Sequence, residues 1–148
     1  MKNLLLILAL FVGNSFAEMK SLTQYLSENE NIDDGNALYI SYRCLGLLGT
    51  ISNITTGSTN KNSKEILSLT QKRTEKLIQS TYKIFSMVKE DATQEAFLEN
   101  LSISVQPLAD KYQTLANENW LNNGNYFEGS ELLVSDIALC NSMIDDFN

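Results

Sequence analysis

The sequence predicts an all-α fold: a bundle of four main helices, with room for a short extra helix before them, stapled by one disulfide. Three observations carry this. Apolar residues recur at steps of three and four through four long stretches, while strand-like alternation is weak throughout. The chain holds a single proline, Pro107, and its seven glycines gather in a few places. Its two cysteines, Cys44 and Cys140, each fall on the apolar row of a predicted helix.

Residues 19–27 suit a short helix with Leu22, Tyr25 and Leu26 on one side, followed by a loop over 28–36. A helix over 37–54 comes next. Ala37, Ile40, Cys44, Leu47, Leu48, Ile51 and Ile54 form its first face. A second face carries Tyr39, Tyr42, Gly46, Gly49 and Asn53, so this helix is hidden on more than one side and is the central one. Glycine costs roughly 1 kcal/mol relative to alanine inside a helix. Gly46 and Gly49 therefore point to close approach of a neighbouring helix or a ligand.

After a polar loop at 55–63, a helix is expected over 62–89, with Asn62 and Glu65 spaced like a capping box. The next begins near Asp91 and Gln94 and carries the row Phe97, Leu98, Leu101, Val105, Leu108, Tyr112 and Leu115. Pro107 falls inside that row, and a kink or break is expected there. The stretch "NENWLNNGNYFEGS" (117–130) suits a turn-rich loop holding Trp120, Tyr126 and Phe127. The last helix runs from Ser130 towards Phe147 and aligns Leu133, Ile137, Cys140, Ile144 and Phe147.

The first residues, "MKNLLLILALFVGNSFAEMK", suit a cleaved export signal: Lys2, an unbroken apolar run from Leu4 to Val12, then Ser15-Phe16-Ala17. The apolar run is far shorter than the roughly 20 residues of a spanning helix. The expected domains are a signal peptide over 1–17 and one helical domain over 18–148, exported to the periplasm or secreted, with no stable membrane span after cleavage. Ten basic and eighteen acidic side chains then remain, a net charge of −8. That balance argues against a nucleic-acid partner, since phosphate binding needs a basic footprint.

The charge is segregated. Residues 18–60 hold two basic and five acidic side chains, residues 61–89 seven and two, and residues 90–148 one and eleven, so one basic segment lies between two acidic ones. The simpler explanation is that these segments pack as complementary neighbours. The sharper one is that the basic segment grips an anionic ligand or surface.

In an oxidising compartment, two cysteines pair. The alternative is two free buried thiols. A redox role is disfavoured because there is no Cys-x-x-Cys and an apolar helix face does not activate a thiol. The chain contains no histidine, which removes the His-bearing metal sites and the Ser-His-Asp triad; neither a metal nor a cofactor is expected. Arg43 adjoins Cys44, and Asp136 lies one turn before Cys140 on its apolar side. Either both reach water at the bundle's edge or they form an ion pair beside the disulfide, because a buried charge needs a partner.

Ser80-Thr81-Tyr82-Lys83 and Ser86-Met87-Val88-Lys89 both match S-x-x-K, but the companion K-T-G is missing and two matches on one helix point to coincidence. Acidic clusters at Glu28, Glu30, Asp33, Asp34 and at Glu128, Glu131 leave a carboxylate-based hydrolase as a remote alternative.

"ALYISYRCLGLL" and "NYFEGSELLVSDIALC" resemble short exported bacterial proteins of unassigned activity, which carry an aromatic-Arg-Cys helix early and an Asp-x-x-x-Cys helix late. The matching residues here are Tyr42-Arg43-Cys44 and Asp136 with Cys140. The resemblance implies the helix–disulfide–helix plan and no chemistry. "DGNALYISYRCLGLL" alone is also similar to small periplasmic immunity proteins that bind and block a toxin. The expected function is a non-enzymatic binding or interaction module for an unknown small ligand or protein. Its surface would be Tyr39, Tyr42, Gly46 and Gly49, or Trp120, Tyr126 and Phe127. The alternative is an inhibitor or immunity-type protein docking through its acidic C-terminal part.

Overall fold

The periodic apolar rows fold as five helices, with no strand among the described residues, in a computed structural model that describes residues 19–29 and 31–147. They are α1 (Leu22–Glu28), α2 (Asp34–Thr55), α3 (Lys61–Val88), α4 (Gln94–Asn123) and α5 (Glu131–Asp145). The predicted signal segment, residues 1–17, lies outside the described residues. The short N-terminal helix, the four main helices and the Cys44–Cys140 disulfide are all present.

Helix α2 is the centre of the bundle. Every residue from Ile40 to Leu48 is buried, and so is Thr50, because α2 packs along its length against both α3 and α4. A helix hidden all round needs apolar or internally bonded side chains on every face, and Ser41 and Thr50 comply by donating their hydroxyls to the carbonyls of Ala37 and Gly46. Inserted between its neighbours, α2 keeps α3 and α4 largely apart. Those two meet near their shared turn, where Phe97 packs on Tyr82 and Phe85 with ring centroids 5.2 and 5.4 Å away. The short α1 docks on α5, and α5 also packs against α2.

The helix starts follow side-chain chemistry. Ser21, Asp33, Asn60, Thr93 and Ser130 each accept a bond from a backbone N–H in the first turn. Two of these correct the sequence reading: α3 is capped by Asn60 instead of Asn62, and α4 by Thr93 instead of Asp91. Asp33 starts α2 earlier than expected, shortening the predicted 28–36 loop. Leu98, expected on the apolar row of α4, proves exposed. Pro107 does not break α4. Its missing N–H would have served the carbonyl of Ile103, and both residues lie on an exposed stretch where water can take that role.

The largest departure is at the end of α4. The Asn-rich stretch expected as loop continues the helix to Asn123, because Ala116 and Asn119 are drawn into the core. Gly124, at φ 70°, supplies the left-handed residue that ends it.

The two glycines of α2 have opposite surroundings. A Cβ on Gly46 would lie 2.9 Å from the backbone nitrogen of Ala109, so α4 approaches there as closely as a bare backbone permits, whereas a Cβ on Gly49 meets nothing within 4 Å. Gly46→Ala should therefore destabilise by about 1–3 kcal/mol through overpacking. Gly49→Ala should stabilise by about 0.5–1 kcal/mol through helix propensity. Urea melts of the two variants check this pair, and shifts of the same sign would refute the packing assignment.

Candidate functional site

The disulfide joins α2 to α5 with a Cα–Cα distance of 5.5 Å, and both cysteines are buried. The free-thiol alternative is thereby set aside. Next to the bridge, Arg43 and Asp136 form an ion pair with Nη2 to Oδ2 at 2.5 Å, the two side chains being 1% and 0% exposed. The other arrangement, in which both reached water at the bundle's edge, does not occur.

The environment accounts for every charge. The Arg43 Nη1 donates to the carbonyl of Lys20 at 2.7 Å, and its Nε and Nη2 donate to the Tyr112 hydroxyl at 3.0 and 2.9 Å. Asp136 accepts from the Leu22 backbone N–H at 2.6 Å through Oδ1, and from Arg43 and the Tyr112 hydroxyl through Oδ2. Burial pushes the Tyr112 hydroxyl far above the ordinary phenol range, so it stays protonated and donates to the carboxylate. Burial alone would lower the Arg43 guanidinium; Tyr112 and the Asp136 carboxylate outweigh it and raise it, so the charge is kept. The guanidinium carbon stands 5.6 Å from the Tyr112 ring centroid. Its nitrogens are much closer to the hydroxyl, so it meets the ring's polar end and not its face. No buried side-chain polar atom among the described residues lacks a partner.

This cluster ties α1, α2, α4 and α5 together at one point, yet it offers no chemistry. No substrate can reach groups exposed by 1% or less, and their donors and acceptors are already used. Its role is architectural. Sequence reasoning raised the Arg43–Asp136 pair as one of two alternatives but missed Tyr112, assigned only to an apolar row, and the backbone at Lys20 and Leu22. For Tyr112 the available signal was the rule that a buried charge needs polar partners, which a hydroxyl on an apolar row can supply.

The predicted face of Tyr39, Tyr42, Gly46 and Gly49 is not one surface. Tyr42 is buried and donates to Asn100, and Gly46 is closed by α4. Tyr39 is partly exposed and packs its ring on Tyr25 at 4.9 Å. A shallow groove of about 280 Å³ lies beside them, lined by Leu38, Tyr39, Tyr42, Pro107 and Leu108. That falls just under the roughly 300–1,000 Å³ of small-molecule sites, and the groove is open to solvent, which disfavours a small ligand there.

The residues of the second predicted surface are partly open to solvent and placed differently than expected. Trp120 stands on the last turns of α4, not in a loop, and stacks on Tyr126 with centroids 4.7 Å apart and planes at 21°. Phe127 follows at 6.4 Å from Tyr126 and is partly buried. Trp120 is 48% exposed and Leu121 81% exposed, too open to line a cavity. The turn beyond is held by asparagines. The Asn119 amide donates to the carbonyls of Asn125 and Glu128 at 2.8 and 2.9 Å, and Asn125 Oδ1 accepts from the N–H groups of Phe127 and Glu128. Asn119, unmarked in the sequence, thus fixes how Trp120 and Tyr126 are presented.

The enzyme alternatives gain nothing. Ser86 donates its hydroxyl back to the Tyr82 carbonyl within α3, away from Lys89. Asp33 caps α2, Glu28 pairs with Lys20 at 2.7 Å, and Glu128 accepts from Asn125 at 3.2 Å; Glu30 lies outside the described residues. No described helix is long and apolar enough to cross a membrane. Compared with protein-family models, curated proteins and solved structures, the chain matches none.

Proposed function

We propose that this chain is an exported, non-enzymatic interaction module that binds a basic protein partner through the aromatic end of α4. The observation that carries the reading is the half-exposed Trp120, stacked on Tyr126 beside exposed Leu121 and held by the Asn119 network. A large side chain ordered before binding loses little freedom on docking, which is what a binding hot spot requires. Exposed carboxylates at Glu118, Glu128 and Glu131 sit close by in the chain and would form a polar, acidic rim. An inhibitor or immunity-type role is the narrower form of this reading, and the acidic rim favours it. Export is supported by the signal-like leader and by the disulfide, which persists in oxidising compartments.

Trp120 is the sole tryptophan, so its fluorescence reports on the surface directly. A partner captured from the host's exported fraction should change that emission on titration. Trp120→Ala with Leu121→Ala should weaken capture at least tenfold at an unchanged melting temperature. A partner held equally well by the variant, or one that leaves Trp120 emission untouched, would refute the site.

A further inference from the structure

We propose that the solvent ridge of α3 is a docking surface for an anionic lipid bilayer. Starting from Lys61, the positions Glu65, Leu69, Lys72, Lys76, Lys83 and Met87 recur at three-, four- and seven-residue steps, which places them in one outward row along the helix. The opposite side, through Thr70, Leu77, Thr81 and Phe85, faces the core. The row is about 39 Å long at 1.5 Å per residue, and packing on α2 keeps it rigid.

Its chemistry is that of a peripheral membrane contact. Leu69 is 50% and Met87 70% exposed, five helical turns apart. Between them, Lys72 and Lys83 are exposed and have no ion-pair partner among the described residues. The one acidic residue of the row, Glu65, is drawn to Lys61 at 3.8 Å. Lysines flanking exposed aliphatic side chains suit headgroups above and acyl chains below.

A protein partner fits this face less well. Protein interfaces are depleted in lysine and enriched in arginine, tryptophan and tyrosine at their centres. The one arginine of α3, Arg73, is turned to Asn141 and Asp145 of α5. Tyr82 is packed on Phe97.

The acidity of the rest of the chain does not cancel the ridge. α3 packs on α2, from the first acidic segment, and its Arg73 meets Asp145 of α5, so complementary packing holds there, whereas α2 keeps the acidic α4 apart from α3. Two helix-to-helix spacings of 8–10 Å separate the ridge from the far side of the bundle. That exceeds the Debye length of about 8 Å at physiological salt, so the α4 carboxylates on that far side are screened from a surface meeting the ridge, while the nearer Asp145 of α5 is drawn to Arg73.

The test is co-flotation of the full mature chain with vesicles of phosphatidylcholine containing two-fifths phosphatidylglycerol, against pure phosphatidylcholine, in 0.1 M salt. The expected result is binding to the anionic vesicles only and release by 0.5 M salt. K72E/K83E should lower the apparent affinity at least tenfold with an unchanged circular dichroism melt. L69N/M87N should also weaken binding, because the aliphatic contacts belong to the same surface. Equal partition onto both vesicle types, no binding to either, or full binding by K72E/K83E would overturn the proposal. If vesicles are ignored while K72E/K83E loses a protein partner, the ridge is a protein surface instead.

Discussion

Asp136→Ala should destabilise the fold by about 3–5 kcal/mol, the usual result of removing one member of a buried ion pair. The loss is large because the Arg43 guanidinium, 1% exposed, would keep its charge with no carboxylate beside it. The Leu22 N–H and the Tyr112 hydroxyl would lose their acceptor at the same time. Most small domains have only about 5–15 kcal/mol in total, so the variant should stand near the edge of folding. Arg43→Met should be comparably damaging. Arg43→Met combined with Asp136→Leu should be more stable than either single variant, since replacing both charges with apolar groups removes the stranded one. Thermal and urea melts of the parent, Arg43→Met, Asp136→Leu and the double variant complete the cycle. A double variant as unstable as the sum of the singles would show that the cluster acts through shape and packing instead of charge.

Loss of the disulfide is the second large effect. The bridge joins residues 96 apart in sequence, and closing a loop of that size is worth about 4–5 kcal/mol in the chain-entropy description. Cys44→Ala with Cys140→Ala should lower the urea midpoint accordingly while leaving helical circular dichroism intact without denaturant. Coincident midpoints for the oxidised parent and the variant would mean that the bridge adds no stability. The two large effects should not add independently. Arg43 adjoins Cys44 and Asp136 lies one turn from Cys140, so releasing the bridge also loosens the ion pair, and such neighbours couple.

The helical plan was legible because burial and period coincide: Leu47, Leu77, Tyr112 and Cys140 all sit on rows spaced by three and four, and all are buried. The cysteine pairing was legible because only one connectivity exists within the chain. The end of α4 was not, since asparagine-rich sequence favours turns locally while burial of Ala116 and Asn119 decides the matter through tertiary contact. Gly46 was correctly marked as a point of close approach, but spacing alone could not say whether a helix or a ligand came near. The backbone donor to Asp136 was out of reach for a related reason. Its Oδ1 partner is the backbone of Leu22, at a sequence separation of 114, and backbone groups carry no residue-specific signal.

The clasp around Arg43 and Asp136 also orders events in time. A nascent chain presents α1 and α2 first, yet α1 is held by Asp136 and α2 is stapled at Cys140, both near the C-terminal end. The short α1, which docks on α5, is therefore among the last of the described helices to find its native partner. Helical proteins usually fold fast because their contacts are local, and long-range closures slow them. Until α5 docks, Cys44 stays a thiol and the Leu22 N–H lacks its acceptor.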